Sequence, residues 1–335
     1  MPAPQSRATP VSVEATATHH PSVAMSADET TAGGGASPSF AAPASADEIG
    51  RLGPYRVLKQ LGQGGMGAVY LGLDERLGRK LALKVMLPQY AANAAAKERF
   101  LREARAAAQI THDNVVTVYE ADERDGLPYI AMQFLQGYPL DEFLKKKGNP
   151  SVPQILRIGR ETAAGLAAAH RIGLVHRDIK PGNLWLEAPN GRVKVLDFGL
   201  ARPVDAEAEL TKSGAIVGTP AYMSPEQGRG QKVDGRTDLF SLGALLYRLC
   251  TGRLPFEGAN VMAILTALAT DEPRPVREWN PNVPPALADL IHQLLAKKRA
   301  DRPQTADEVA DRVRAMREQP IGTGTGSQIA APPMV

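Results

Sequence analysis

The sequence lacks the features that stabilise a protein through disulfide bonds or cysteine-bound metals and those that anchor it in a membrane. Its 335 residues contain one cysteine, Cys250, which excludes an internal disulfide framework and a cysteine-rich metal site. Lysine and arginine total 39 against 36 aspartate and glutamate, and a net charge of +3 gives no reason to expect nucleic acid as a partner. What is present, 43% hydrophobic and 22% charged residues, is typical of a soluble globular protein.

Long hydrophobic runs are also missing. The longest one, around Leu239–Cys250, is interrupted by Ser241 and is shorter than the roughly 20 residues that a transmembrane helix needs. The N-terminus lacks the basic start and following apolar stretch of a secretory signal. We therefore expect a cytoplasmic protein without a membrane span.

Composition divides the chain into a central unit and two polar tails. Residues 1–50 are rich in Ala, Ser, Thr and Pro, with one aromatic residue, Phe40, and one basic residue, Arg7, against five acids. Such a segment buries too little apolar surface to offset the entropy of ordering it, so we predict disorder there. The same reasoning predicts a disordered tail over 317–335. The folded unit then covers 53–316.

Strand-like runs come first in this unit and helical periodicity comes later. A charged, Ala-rich segment at about 94–110 predicts one helix among the early strands. This grouping predicts an α+β fold of two lobes, a smaller one over about 53–135 and a larger one over about 136–316. The predicted strands are Tyr55–Leu61, Ala68–Leu73, Lys80–Met86, Val115–Ala121, Tyr129–Phe134, Leu184–Leu186 and Val193–Leu196.

A glycine motif lies between the first two predicted strands. Gly62, Gly64 and Gly67 form the pattern G-x-G-x-x-G, in which glycine lets the backbone approach phosphates closely. A dinucleotide-binding turn would need a helix to start at the third glycine, whereas Val-Tyr-Leu-Gly follows here and is strand-like. The alternatives are a plain glycine-rich hairpin and a strand–loop–strand clamp over phosphates, and the clamp fits better.

One lysine stands alone in an apolar strand. Lys84 lies in Leu-Ala-Leu-Lys-Val, where simple alternation could expose it to solvent. Glu103 follows 19 residues later in the helical segment and could hold a desolvated lysine as a cation beside phosphates. Glu98, one turn earlier on that helix, is the competing partner. The pairing with Glu103 is the one we predict.

The most informative region is His-Arg-Asp-Ile-Lys-Pro-Gly-Asn, which ends at Asn183 and contains Asp178. Asp197-Phe198-Gly199 begins 19 residues after Asp178. Two carboxylates and an amide on adjacent loops supply hard oxygen ligands for magnesium and a carboxylate that can accept a hydroxyl proton. Each residue alone is typical of a turn or cap, but their joint order and spacing favour a catalytic site.

These segments resemble the protein-kinase signature set, and the chain is similar to bacterial eukaryotic-like (Hanks-type) serine/threonine kinases over 53–316. The resemblance implies a protein-kinase fold with a β-rich N-lobe carrying one main helix and a mostly helical C-lobe. It implies transfer of the γ-phosphoryl of ATP to protein Ser/Thr hydroxyls, with Mg²⁺ as metal and Mn²⁺ as an alternative. It also allows transient homodimers for autophosphorylation in trans.

The resemblance assigns a role to each charged residue of the site. Lys84 would bind the α/β-phosphates while paired with Glu103, beneath the glycine-rich loop. Asp178 would be the catalytic base, and Lys180 would steady the transferring phosphoryl group as its charge develops. The metal ligands would be the side chains of Asn183 and Asp197.

An adenine pocket follows from the same resemblance. The segment 132–135 matches the hinge, whose backbone would bind the purine. Trp185 departs from the smaller aliphatic residue expected beneath the adenine, where an indole could stack on the purine or crowd it. The residues expected to bind the adenosine part are Leu61, Val69, Ala82, Met132, Gln133, Phe134, Leu135 and Trp185.

A second group would order the substrate side of the site. Thr219 resembles the serine/threonine-specific pattern in the segment 218–226, where Ser224 replaces the more usual alanine. Glu226 would pair with Arg302, and Asp238 matches the acid that braces the catalytic loop, with a helix cap as its other interpretation.

Regulation would act through the loop 200–217, which lies between Asp197-Phe198-Gly199 and the substrate-side segment 218–226. Thr211 and Ser213 are candidate phosphorylation sites, and Thr211 is the better candidate. Arg177 is a cation at which a loop phosphate could dock, because phosphorylation adds about −1.5 to −2 charge. Ordinary loop polarity is the alternative interpretation of these residues.

Overall fold

The described residues, 38–198 and 220–318 of a computed structural model, form a β-rich lobe followed by a mostly helical lobe. The first lobe is built on six antiparallel strands in the order β1-β2-β3-β4-β6-β5. Their bounds are β1 Gly50–Leu52, β2 Tyr55–Gln63, β3 Gly67–Asp74, β4 Arg79–Met86, β5 Val118–Arg124 and β6 Leu127–Gln133. The predicted α+β class is confirmed.

Two helices accompany this sheet, α1 (Pro88–Ala91) and α2 (Ala94–Ala107). The side chain of Asn93 caps α2 by accepting a hydrogen bond of 3.0 Å from the backbone of Ala96. One face of α2 carries buried Phe100, Leu101 and Ala104, which pack with Met86 and Ile130 of the sheet. The apolar face of α2 therefore fixes it against the strands that carry the site.

The second lobe is mostly helical and includes a small antiparallel sheet in the order β7-β8-β9. The helix α6 (Gly235–Thr251) forms the centre of this lobe, since most residues of the helix are buried. Gly252 ends this helix in a left-handed conformation with φ of 75°. The elements are β7 Gly137–Pro139, α3 Leu140–Lys147, α4 Val152–His170, β8 Leu184–Glu187, β9 Arg192–Val195, α5 Pro225–Gly228, α6 Gly235–Thr251, α7 Val261–Thr270, α8 Val276–Trp279, α9 Pro285–Leu294 and α10 Ala306–Glu318.

One predicted strand begins later than the sequence suggests. The apolar pattern predicted a strand from Val115, but β5 starts at Val118. Val116 instead donates its backbone N–H to the carbonyl of Val195 at 3.0 Å, so this stretch joins the two lobes. Apolar alternation cannot distinguish a sheet strand from an extended connection buried on both sides.

The N-terminal boundary of the folded unit also needs correction. Disorder was predicted through residue 50, yet the ring of Phe40 packs edge-to-face on Tyr70 with centroids 4.9 Å apart. The buried carboxylate of Glu48 bonds Arg51 at 3.1 Å and Arg56 at 2.6 Å. Composition missed these contacts because all of them depend on partners outside the segment or in β1 and β2.

Three stretches lie outside the described residues. They are 1–37, 199–219 and 319–335, so most of both predicted tails carries no structural account. The predicted C-terminal tail starts at 317, whereas α10 continues to Glu318. In the two ranges that the structure describes, no helix is both long and apolar enough to cross a bilayer.

Candidate active site

The glycine motif forms the tip of the hairpin between β2 and β3. Gly62 pairs with Val69 in the sheet, and the backbone N–H of Gly64 donates to the carbonyl of Gly67 at 2.8 Å. A Cβ on Gly67 would lie 2.9 Å from the carbonyl oxygen of Val85, so a side chain there would push the hairpin off β4. The strand–loop–strand prediction is therefore the local geometry found.

An apolar cleft of about 390 Å³ lies below this hairpin. The predicted roof residues Val69 and Ala82 and the predicted floor residue Trp185 belong to one apolar cluster. Sequence reasoning missed Val116 and Leu196, whose contribution depends on how the lobes meet. The residues that line the cleft are Leu61, Ala82, Val116, Met132, Gln133, Phe134, Leu135, Trp185, Leu196 and Asp197.

Trp185 is held rigidly at this floor. Its indole Nε1–H donates to the backbone carbonyl of Gln136 at 3.0 Å, and the residue is only 2% exposed. The hydrogen bond fixes the ring plane relative to the hinge, so the indole is a wall of the cleft and not a mobile side chain.

The carboxylate of Asp178 lies near two side chains of its own loop, and a third holds its backbone. Asn183 Nδ2 donates to Asp178 Oδ2 at 3.0 Å and to the backbone carbonyl of Asp178 at 2.7 Å. The ammonium of Lys180 is 3.4 Å from the same carboxylate. His176 Nδ1 accepts from the Asp178 backbone N–H at 3.2 Å while His176 Nε2 lies 2.7 Å from the carbonyl oxygen of Leu196, an arrangement that fits a neutral ring protonated at Nε2.

Asn183 and Asp197 are brought side by side by the β8–β9 pairing. The backbone N–H of Leu196 donates to the carbonyl of Asn183 at 2.9 Å, next to Asp197. Their carboxylate and amide oxygens are hard donors that suit Mg²⁺, and water and phosphate oxygens usually complete such a shell. Among the described residues, no cluster of three or more His, Cys, Asp or Glu forms a metal cage, so a self-contained protein site of that kind is absent there.

The predicted ion pair between Lys84 and Glu103 is not formed. Lys84 Nζ lies 2.8 Å from Asp197 Oδ2 instead, and no hydrogen bond or ion pair joins Glu103 to another described residue. Glu98, the alternative partner, is exposed on α2. The choice of partner depends on how closely α2 approaches β4, which residue spacing along the chain does not determine.

Glu103 is consequently a carboxyl group in a poorly solvated position. Burial raises its pKa to about 7, although the nearby charges of Arg177, Arg99 and Arg102 act in the opposite direction. Arg177, the proposed docking cation, is thus electrostatically coupled to α2 in this structure. A carboxyl group with this pKa changes its protonation state near neutral pH.

Asp238 braces the catalytic loop and does not cap its helix. Its fully buried carboxylate accepts the backbone N–H groups of His176 at 2.8 Å and Arg177 at 2.7 Å. The cap of α6 is Asp234, which accepts from the backbone of Arg236. The two interpretations left open by the sequence are therefore divided between two aspartates.

Sequence reasoning missed a histidine in this network. The ring Nε2 of His170 lies 2.8 Å from Asp238 Oδ2. His170 ends α4, and 68 residues separate it from Asp238, so only the tertiary fold shows the contact.

The pair between Glu226 and Arg302 is present and fully enclosed. Two guanidinium nitrogens of Arg302 donate to the two oxygens of Glu226 at 2.8 and 2.9 Å, and Thr237 adds a hydrogen bond of 2.8 Å. Burial alone would raise the pKa of Glu226, but the hydrogen bonds and charge of Arg302 outweigh it, so this pKa is lowered. The substrate-side segment is thus anchored to the end of the C-lobe.

Three predicted residues lie outside the described ranges. They are Thr211, Ser213 and Thr219, together with the last glycine of the motif that starts at Asp197. Their predicted roles in regulation and substrate selection stay predictions.

The cleft therefore has a glycine hairpin above it and an aspartate–asparagine–lysine loop below it. The family model described as protein kinase domain matches residues 55–313, and the chain belongs to that family. It is 42% identical over 281 residues to serine/threonine-protein kinase Pkn1 of Myxococcus xanthus, covering 82% of this chain and 40% of that protein.

Two further similarities agree with this membership. Serine/threonine-protein kinase PksC of Streptomyces coelicolor is 39% identical over 84% of this chain and 51% of its own length. The crystal structure of the Mycobacterium tuberculosis PknI kinase domain aligns with a TM-score of 0.65 and 28% identity, covering 81% of this chain and 99% of that one. The chain spans about half or less of the length of these curated relatives.

Proposed function

We propose that this chain transfers the γ-phosphoryl group of ATP to serine and threonine hydroxyls of proteins. The observation that carries the proposal is the convergence of Asp178, Lys180 and Asn183 with Lys84 and Asp197 below a glycine hairpin. Its family membership supports phosphoryl transfer as the reaction and proteins as the substrates.

In this proposal the chain contributes mainly position and charge. Asp178 accepts the proton of the substrate hydroxyl, and the nearby amide of Asn183 fixes the orientation of its carboxylate. Lys180 and Lys84 supply positive charge where negative charge develops on the transferring group. A bound magnesium ion would be held by Asn183 and Asp197 and would neutralise phosphate charge; Mn²⁺ is the alternative metal.

Several finer assignments belong to the same proposal. The adenine ring is expected between Ala82 and Trp185, with the backbone of the hinge beside it. Thr211 and Ser213 are proposed as autophosphorylation sites, acting in trans through transient homodimers. We propose a cytoplasmic location and no nucleic-acid partner.

The test is incubation of the purified chain with ATP and Mg²⁺ in two parallel assays. One contains a degenerate serine/threonine peptide library and the other a panel of metabolites with hydroxyl groups. Mass spectrometry is expected to find phosphoserine and phosphothreonine on peptides and no phosphorylated metabolite. Lys84→Met, expected to stay folded and nearly inactive, is the control for contaminating kinases.

Two outcomes would count against the proposal. Phosphorylated metabolites with unmodified peptides would identify a small-molecule phosphotransferase. ATP binding without transfer to either substrate class would identify a binding protein on this fold.

A further inference from the structure

The peptide unit that precedes the proposed base has an unusual conformation. Arg177 has a φ of 67°, in the left-handed region that residues other than glycine rarely adopt. Such a conformation is strained and persists only where its surroundings hold it. The direction in which the carboxylate of Asp178 points depends directly on this peptide.

Both polar groups of Arg177's backbone are held by buried side chains. The N–H donates to Asp238 Oδ1 at 2.7 Å, as the family resemblance implies for that aspartate. The carbonyl accepts a hydrogen bond of 2.8 Å from Nε2 of Gln227, a residue to which no role has been assigned. The strained peptide is therefore held from two sides by residues far away in sequence.

The amide orientation of Gln227 follows from its neighbours. Gln227 is 7% exposed, and its Oε1 accepts from the backbone N–H of Ser224 at 3.1 Å. Because Ser224 N can only donate and the Arg177 carbonyl can only accept, the reverse orientation would break both hydrogen bonds. Each end of the amide therefore has one definite partner.

The element that carries Gln227 is itself immobilised. Gln227 lies in the short helix α5, directly after Glu226, whose carboxylate is locked to buried Arg302. The donor on Gln227 is thus fixed to the core of the C-lobe. A rigid donor can hold a strained acceptor in a way that solvent or a flexible side chain could not.

We infer that Gln227 is a positioning residue for phosphoryl transfer, which holds the Arg177 carbonyl and through it orients the base Asp178. This inference rests on the proposed function, because Asp178 acts as base only there. It also links the substrate-side helix α5 to the catalytic loop by a direct hydrogen bond. Gln227 itself touches no substrate.

The kinetic test uses two variants and one matched control. Gln227→Met removes both amide groups at similar volume, and Gln227→Glu at pH 8 keeps an acceptor for Ser224 but has no donor. The matched control Gln293→Met removes the amide of an exposed glutamine in α9, which accepts a hydrogen bond from Arg312 at 2.7 Å. Single-turnover transfer to one peptide at saturating ATP and Mg²⁺ is measured for all three.

Both Gln227 variants are expected to lower the transfer rate by about 10- to 100-fold, since small displacements of a reacting group have effects of that size. The Michaelis constant for ATP is expected to stay within about twofold of the parent value, because Gln227 is not one of the residues that line the cleft. Gln293→Met is expected to keep the parent rate. Equal rates for parent and both Gln227 variants would overturn the inference.

A second measurement does not depend on activity. Hydrogen–deuterium exchange of peptides covering 174–183 is expected to be faster in both Gln227 variants and unchanged in Gln293→Met. Unchanged exchange in both Gln227 variants would overturn the inference, whether or not the parent chain transfers phosphate. A parent chain that transfers no phosphate would refute only the proposed function. Loss of folding in both variants would also contradict the inference, because the side chain would then be structural.

Discussion

Two glutamates on opposite sides of the cleft differ in how the protein treats a carboxylate removed from water. In the C-lobe, Glu226 is enclosed and has a bidentate arginine, so its pKa is lowered. In the N-lobe, Glu103 has no hydrogen-bonding or ion-pairing partner among the described residues, and burial raises its pKa to about 7. Burial acts to raise the pKa of both carboxyl groups, and the presence or absence of an arginine partner decides whether the pKa is finally lowered or raised.

The same contrast extends to the lobes' parts of the site. The catalytic loop of the C-lobe is held by Asp238 and Gln227 through buried hydrogen bonds. The N-lobe supplies Lys84, whose ion pair with Asp197 crosses to the other lobe. In this structure the loop that carries Asp178 is therefore held by hydrogen bonds from Asp238 and Gln227, whereas Glu103 on α2 has no hydrogen-bonding or ion-pairing partner among the described residues.

The largest expected effect comes from breaking the bridge between the lobes. Asp197→Ala removes the partner of Lys84 and the proposed metal ligand, and we expect phosphoryl transfer to fall about 1,000-fold or more because charge stabilisation is lost. The measurement is transfer to peptide at saturating ATP and Mg²⁺. Asp122→Asn, at a half-exposed site in β5, is expected to keep the parent rate; transfer by Asp197→Ala within tenfold of the parent would contradict the assignment.

The braced side can be broken by removing one charge of its pair. Arg302→Met leaves the carboxylate of Glu226 buried and unpaired, which typically costs about 3–5 kcal/mol of unfolding free energy. Urea unfolding at pH 7.5 measures the loss. Arg314→Met, at an exposed pair with Asp311, is expected to change the unfolding free energy by less than about 1 kcal/mol.

The unbraced side is expected to respond in the opposite direction. Because the pKa of Glu103 is about 7 when folded against an ordinary 4.5, the folded chain retains a proton that the unfolded chain releases between those values. The contribution of Glu103 to the stability of the parent therefore decreases as pH rises from 4.5 through 7. Glu103→Gln removes that loss.

Urea unfolding of the nucleotide-free chain at pH 4 and pH 8 tests this expectation. The Glu103→Gln variant should match the parent at pH 4 and exceed it in stability at pH 8. A variant less stable than the parent at pH 8 would show that the charged form of Glu103 is stabilised in the folded chain.

The smallest expected effect concerns the floor of the cleft. Trp185→Leu removes a rigid indole and one of the two donors to the Gln136 carbonyl, which keeps the backbone N–H of Ala188, so we expect a change of about 3- to 10-fold in the Michaelis constant for ATP. Trp279→Leu, at a half-exposed tryptophan in α8, is the control for loss of a tryptophan. An unchanged Michaelis constant and an unchanged inhibitor profile would exclude a role for Trp185 in nucleotide binding.

Much of the fold could be predicted because its signals are local. Strands β2, β3 and β4 could be predicted from apolar runs bounded by glycines and turns. The order and spacing of Asp178, Asn183 and Asp197 were enough to predict a catalytic site. Local signals also predicted the hairpin at the glycine motif. These features require no knowledge of how the lobes meet.

What could not be predicted depends on contacts between distant segments. Gln227 contacts Arg177 across 50 residues of sequence, and Phe40, in the described part of the N-terminal segment, packs on Tyr70. The partner of Lys84 depends on the distance between α2 and β4 and not on sequence spacing. Such contacts depend on tertiary packing, which composition and periodicity do not predict.

The most direct test of the account is single-turnover transfer from γ-labelled ATP to one serine peptide, by the parent chain and by Asp178→Asn. The account predicts that Asp178→Asn binds ATP like the parent and melts at a similar temperature but transfers phosphate about 1,000-fold more slowly or not at all. Transfer by folded Asp178→Asn at the parent rate would contradict the assignment of the base and, with it, the proposed mechanism.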